Sequence, residues 1–132
     1  MTDLVVDSSL VLRALGEAEA DEVLRLSAPR VLHAPHLIDF EFANALRGLA
    51  LGGKLTADRA ESVRADFADL QIERYSGAVV SERVWQLRDT FTAYDAAYIA
   101  LAELLDCPLL TGDAKLQGPH RADIELYPSP VP

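Results

Sequence analysis

The sequence predicts an α/β fold, a parallel sheet covered by helices on both faces. Five short apolar runs, 3–7, 31–34, 71–75, 108–111 and 123–127, have the length of buried strands. Longer stretches with helical periodicity separate the first four, and parallel strands need such crossover connections. The chain has 132 residues, 50% hydrophobic and 25% charged, which suits one compact domain over 1–132 without a linker.

The elements follow in order. Leu4-Val5-Val6 forms a first strand closed by Asp7. Ala20, Val23 and Leu24 give helical spacing before the second strand. Leu37, Ile38, Phe42, Ala45, Leu46 and Leu49 place a helix over 36–51 that Gly52-Gly53 ends. Thr56 is an N-cap for a helix with Ala60, Val63 and Phe67 on one face. After the third strand, Val80, Val84 and Leu87 mark another helix, with Trp85 as one of its packing residues. The last helix spans 93–106, and the proline-rich end 127–132 cannot continue a helix or a central strand.

Composition excludes several classes. No apolar run approaches the roughly 18 residues of a membrane span, and no basic segment followed by an apolar stretch marks a secretory signal. A single cysteine, Cys107, forms no internal disulfide and offers no metal-ligand spacing, so a reducing cytoplasm is the default. The histidines His33, His36 and His120 share no ligand spacing and read as surface or loop residues. A net charge of −9 by itself argues against nucleic acid as partner.

Four carboxylates nevertheless stand where local structure would not ask for a charge. Asp7 and Asp113 each follow an apolar strand, Glu41 is set between Phe40 and Phe42, and Asp95 opens the alanine-rich helix. In an open α/β sheet ligands gather beyond the carboxyl ends of the strands, near the switch in strand order, and all four positions suit that edge. Each also has an ordinary reading. Asp7 suits an N-cap, Thr92 to Asp95 matches a capping box, and Asp113 suits a turn. Glu41 shares a helix face with Leu37, Asn44 and Gly48. Buried there, it needs a cation, a proton, donors, or a salt bridge to Arg13 or Arg47. Together the four are costly: two like charges about 4 Å apart repel by about 4 kcal/mol at an effective dielectric near 20. A domain of this size has about 5–15 kcal/mol of stability in all. A hard divalent ion, Mg²⁺ or Mn²⁺, reverses that sign, whereas zinc would ask for His or Cys.

Val5-Val6-Asp7-Ser8-Ser9, Glu41 to Arg47 (EFANALR), Tyr94 to Glu103 (YDAAYIALAE) and Leu109 to Asp113 (LLTGD) together resemble the PIN-domain ribonucleases. More narrowly they resemble the VapC toxins of bacterial toxin–antitoxin pairs. The resemblance implies an α/β/α sandwich with a central parallel sheet of four to five strands. It implies Asp7, Glu41, Asp95 and Asp113 as the catalytic and metal-binding quartet, with Thr111 and Asn44 supporting. It further implies Mg²⁺- or Mn²⁺-dependent cleavage of structured RNA such as tRNA or rRNA, inhibition by a VapB-like antitoxin, and a homodimer. Many members carry another acid two positions after the last aspartate, where this chain has Lys115.

The expected chemistry is metal-assisted hydrolysis leaving a 3′-hydroxyl and a 5′-phosphate. Asp7, Asp95 and Asp113 would hold one ion; Glu41 would hold a second or orient the attacking water. Arg13, Arg47 and Lys115 are candidate phosphate contacts. Tyr98, one turn from Asp95, would line the site or the core, while stacking of bases on Trp85 or Tyr94 carries little weight. Among the rivals, a receiver-like domain needs an aspartate ending the third strand, which here ends Ile72-Glu73-Arg74-Tyr75. A haloacid-dehalogenase-like phosphatase needs an aspartate at position 9, which is serine. A non-catalytic module holding a partner's arginine in the acidic pocket remains the alternative.

Overall fold

A computed structural model describes residues 3–16 and 30–127. The expected helix around Ala20, Val23 and Leu24, and the end beyond Tyr127, lie outside the described residues. Five strands form one sheet, β1 (Asp3–Val6), β2 (Val31–Pro35), β3 (Ile72–Tyr75), β4 (Leu109–Thr111) and β5 (Ile124–Leu126). All pairings are parallel, in the order β3-β2-β1-β4-β5. The order reverses at β1, whose neighbours are β2 on one side and β4 on the other, so the switch point lies beyond β1 and β4.

Burial explains the order. Leu4, Val5 and Val6 are fully buried, as is Leu109, which is how the middle of a parallel sheet covered on both faces should read. The edge strands β3 and β5 are only partly buried and carry Glu73, Arg74 and Glu125, charges that discourage further pairing.

Among the described residues five helices flank the sheet: α1 (Ser8–Gly16), α2 (Ile38–Leu51), α3 (Ala57–Asp69), α4 (Ser81–Gln86) and α5 (Ala93–Leu105). Phe42 of α2 stacks on Phe67 of α3, centroids 3.9 Å apart. Helix α2 ends at Gly52, and Gly53 turns left-handed at φ 75°, a conformation glycine adopts without strain. Thr56 caps α3 by accepting from the Arg59 N–H at 3.1 Å, as its sequence predicted. Helix α5 is buried from Ala96 through Ala102. Its alanines keep the helix thin enough to lie against the sheet, and α5 stops where Asp106 turns left-handed at φ 51°.

Three expectations need correction. His33 is a buried residue of β2, with Nδ1 2.7 Å from Tyr75 Oη and Nε2 3.0 Å from Asp3 Oδ1. A strand interior accepts the ring because both nitrogens find partners. Trp85 is 67% exposed, because α4 is only six residues long and turns Val80 and Leu87 inward instead. Phe40 is 80% exposed, so Glu41 is flanked by one buried phenylalanine, Phe42, and one that faces solvent. Among the described residues no helix is long and apolar enough to cross a membrane.

Candidate active site

The register of the sheet brings the first two carboxylates together. Val6 pairs with Leu110, so the next residues, Asp7 and Thr111, emerge side by side at the switch point. The Thr111 hydroxyl donates to Asp7 Oδ2. Asp7 Oδ1 accepts from the Leu10 N–H at 2.8 Å and from Ser9 Oγ at 3.0 Å, so Asp7 is the N-cap of α1 as well. Thr111 turns outward too: its Oγ1 accepts from the Asp113 N–H at 3.0 Å. Asp113 Oδ1 in turn accepts from the Lys115 N–H at 2.9 Å, closing a single 3₁₀ turn.

Helices supply the other two. Asp95 lies in the first turn of α5, where its N–H donates to Thr92 Oγ1 at 3.2 Å. Glu41 lies in the first turn of α2. Its Oε1 accepts from Tyr98 Oη at 2.7 Å and from Ser8 Oγ at 3.4 Å. Neither Arg13 nor Arg47 is the partner seen at Glu41; hydroxyls hold it. The ordinary readings hold for Asp7 as an N-cap and for Asp113 as a turn residue, and Thr92 caps α5 by accepting from the Asp95 N–H. Local hydrogen bonds aim the side chains, and the fold makes them neighbours.

Electrostatics records that proximity. Burial pushes the Asp7 carboxyl above its ordinary range against hydrogen bonds from Thr111, Leu10 and Ser9, and the Asp113 charge adds to the rise. Burial also raises Glu41, opposed by Tyr98, with Asp95 and Asp7 repelling it further. Asp95 is raised by burial and by Asp113, and Lys115 pulls it back. The repulsions thus run Asp7–Glu41, Glu41–Asp95, Asp95–Asp113 and Asp113–Asp7, a closed ring. Elsewhere in the fold, Arg74 pairs with Asp39 and Arg83 with Glu103. Among the described residues no three His, Cys, Asp or Glu side chains are drawn tightly enough to form a ready-made metal group. The donor set itself, carboxylates with hydroxyls and neither imidazole nor thiolate, suits a hard divalent ion.

Other expected residues divide. Thr111 is fully buried between Asp7 and Asp113. Asn44 is exposed, and none of the hydrogen bonds among the described residues reaches it. Arg13 and Lys115 line one cavity of about 430 Å³ with Ser9, Leu10, Gly112 and Asp113, directly beside the ring. The Arg13 guanidinium also sits 5.9 Å from the Tyr127 ring centroid. Arg47 is exposed on α2 and lines no part of that cavity. Cys107 is buried, and burial pushes its thiol up, the opposite of what a nucleophile needs.

Sequence reasoning did not single out Ser8 and Ser9, and it left the role of Tyr98 open. Ser8 and Ser9 directly follow a strand-end aspartate, and Tyr98 lies three residues after Asp95 on the same helix face. Those signals were present but common.

Known proteins resemble this chain in sequence and fold. The PIN domain family model matches residues 4–119. Ribonuclease VapC9 of Mycobacterium tuberculosis is 37% identical over 123 residues, covering 93% of this chain and 95% of that one. Among solved structures, PAE2754 from Pyrobaculum aerophilum superposes with a TM-score of 0.70 at 25% identity, covering 93% of this chain and 83% of the other. VapBC2 from Rickettsia felis, solved bound to a DNA fragment from its promoter, gives 0.67 at 12% identity over 96% of this chain and 99% of that chain.

Proposed function

The chain belongs to the PIN-domain family, and on that premise we propose that it is a VapC-like toxin, a metal-dependent endoribonuclease that hydrolyses phosphodiester bonds in structured RNA such as tRNA or rRNA. The observation that carries this reading is the convergence at the switch point of the sheet, where β1 and β4 set Asp7 beside Thr111, Thr111 links Asp7 to Asp113, and Tyr98 of the Asp95 helix holds Glu41. Four segments of the chain converge there, and burial with mutual repulsion raises three of the carboxyls, as at sites built for chemistry.

Asp7, Asp95 and Asp113 would hold Mg²⁺ or Mn²⁺. When bound, such an ion neutralises the ring and supplies a Lewis acid for the scissile phosphate. The remaining steps belong to the chain. Glu41, held by Tyr98 and Ser8, orients the attacking water and takes its proton. Arg13 and Lys115, across the adjoining cavity, receive a neighbouring phosphate of the backbone. An overall charge of −9 is compatible with that, because the basic pair lies where the substrate must pass.

The resemblance to VapC proteins supports a VapB-like antitoxin and a second copy of the chain as partners. The exposed Phe40, Leu51, Trp85 and Tyr94 leave apolar surface available for contacts of that kind.

The test is incubation of the folded protein with total tRNA and rRNA, with and without Mg²⁺, followed by mapping of the new 5′ ends. Cleavage that needs the ion and is lost in Asp95→Asn is expected. Cleavage that survives chelation would contradict the mechanism. Failure of well-folded protein to cut any RNA would favour the non-catalytic binding module.

A further inference from the structure

The four acids are not held alike. Asp7 takes the Leu10 N–H, three residues on, and Asp113 takes the Lys115 N–H, two residues on. The Asp95 N–H donates to Thr92 Oγ1, three residues back, at the start of the same helix. Such caps form with the local backbone, and Asp7 adds to its cap the Thr111 hydroxyl from the neighbouring strand. Glu41 stands inside a helix with no cap to join. Its two donors come from Ser8 and Tyr98, 33 and 57 residues away in the chain. It is also the longest of the four side chains, with the most rotamer freedom to lose.

We propose that Tyr98 is the positioning residue for Glu41, its phenol fixing the one acid of the ring whose carboxylate is held only by donors far away in the chain. The geometry is suited to that task. Tyr98 is 3% exposed and sits in the buried stretch of α5, so its ring is fixed by packing. It lies three residues after Asp95 on the same helix, so one rigid element sets the Glu41 carboxylate relative to Asp95. Both donors converge on Oε1, which turns Oε2 to the other side of the carboxylate. Ser8, at 3.4 Å, is the weaker of the two.

This inference rests on the nuclease reading of the site, and the experiment separates them. Tyr98→Phe keeps the buried ring and removes only the hydroxyl. Expected is a fall in kcat of about 10- to 100-fold with KM little changed, since a small misplacement of a reacting group costs about that much. In a Glu41→Gln background the same substitution should cost less than about twofold, because the group it positions is already gone. Mn²⁺ binding to the RNA-free protein, followed by the spin resonance of the free ion, should be the same in Tyr98→Phe as in wild type, because Asp7, Asp95 and Asp113 would hold the ion. Equal losses in both backgrounds would mark Tyr98 as a packing residue and overturn the proposal. Unimpaired cleavage by Tyr98→Phe, with active wild type, would overturn it too, and so would Mn²⁺ binding that weakens along with cleavage, since that would mark a general disturbance of the site. A wild type that neither binds Mn²⁺ nor cuts RNA removes the nuclease reading, and the positioning role with it.

Discussion

Helix α5 carries an acid at each end, and the two have opposite fates. Asp95 sits in the first turn, where the helix dipole favours a negative charge, and Glu103 sits in the last, where it does not. Yet Asp95 is pushed up and Glu103 is held down. Burial raises Glu103 as well, but Arg83 donates from Nε at 2.7 Å and from Nη2 at 3.1 Å, and the Arg121 N–H donates at 2.7 Å. Those bonds and the two guanidinium charges outweigh the burial. Asp95 faces Asp113 and Glu41, with Lys115 as its compensating charge. Burial and the charged neighbours decide the matter, and the dipole does not. One end of α5 is organised for stability, the other against it.

The sharpest way to break this comparison is to neutralise each end in turn. Asp95→Asn removes a member of the ring and should lower RNA cleavage by about 1000-fold or more, about 4 kcal/mol of transition-state stabilisation. The same variant should be at least as stable as wild type to urea in metal-free buffer, because a repulsion has gone. A marked loss of stability would show that Asp95 serves chiefly as a helix cap.

Glu103→Ala should do the reverse. Its carboxylate is 3% exposed and bonded to charged groups, so its loss should destabilise the fold by about 1.5–3 kcal/mol. Cleavage per folded molecule should be unchanged. Urea denaturation checks the first expectation, and activity normalised to native protein checks the second.

The contrast also shows what a sequence discloses. Asp7 and Asp113 are legible because each follows an apolar run, and a strand end beyond the sheet is where ligands gather. Asp95 is legible because Thr92 announces the helix start. Thr111 is legible as a partner once Val6 and Leu110 are seen to end parallel strands. The Tyr98–Glu41 bond is not, since two helices must first be placed in space. Nor is the Arg83–Glu103–Arg121 cluster, which joins α4, α5 and the loop before β5. Phe40 and Trp85 misled because apolar type does not fix facing. On a short or edge-lying helix, a large ring can be left outside while smaller neighbours fill the core. His33 misled in the opposite sense, since only the pairing of β2 with β1 and β3 reveals that Asp3 and Tyr75 satisfy it.

The smallest expected effect is in the pH dependence of stability, and there the two ends of α5 oppose each other. In metal-free protein Asp7, Glu41 and Asp95 bind protons more tightly folded than unfolded. Their contribution is full below the ordinary carboxylate range, near about pH 4, and is lost as the pH rises through their raised values. Glu103 binds its proton less tightly when folded. Its contribution is present above the ordinary range and is lost as the pH falls through its depressed value. Thermal melts between about pH 3 and pH 7 should therefore show Asp95→Asn reducing the loss of stability on raising the pH. Glu103→Gln should steepen that loss. Added Mg²⁺ should flatten it in wild type and do less in Asp95→Asn. The same slope in all three proteins would mean that the carboxylates of the ring are too well solvated to repel one another, and the contrast between the two ends would fall with them.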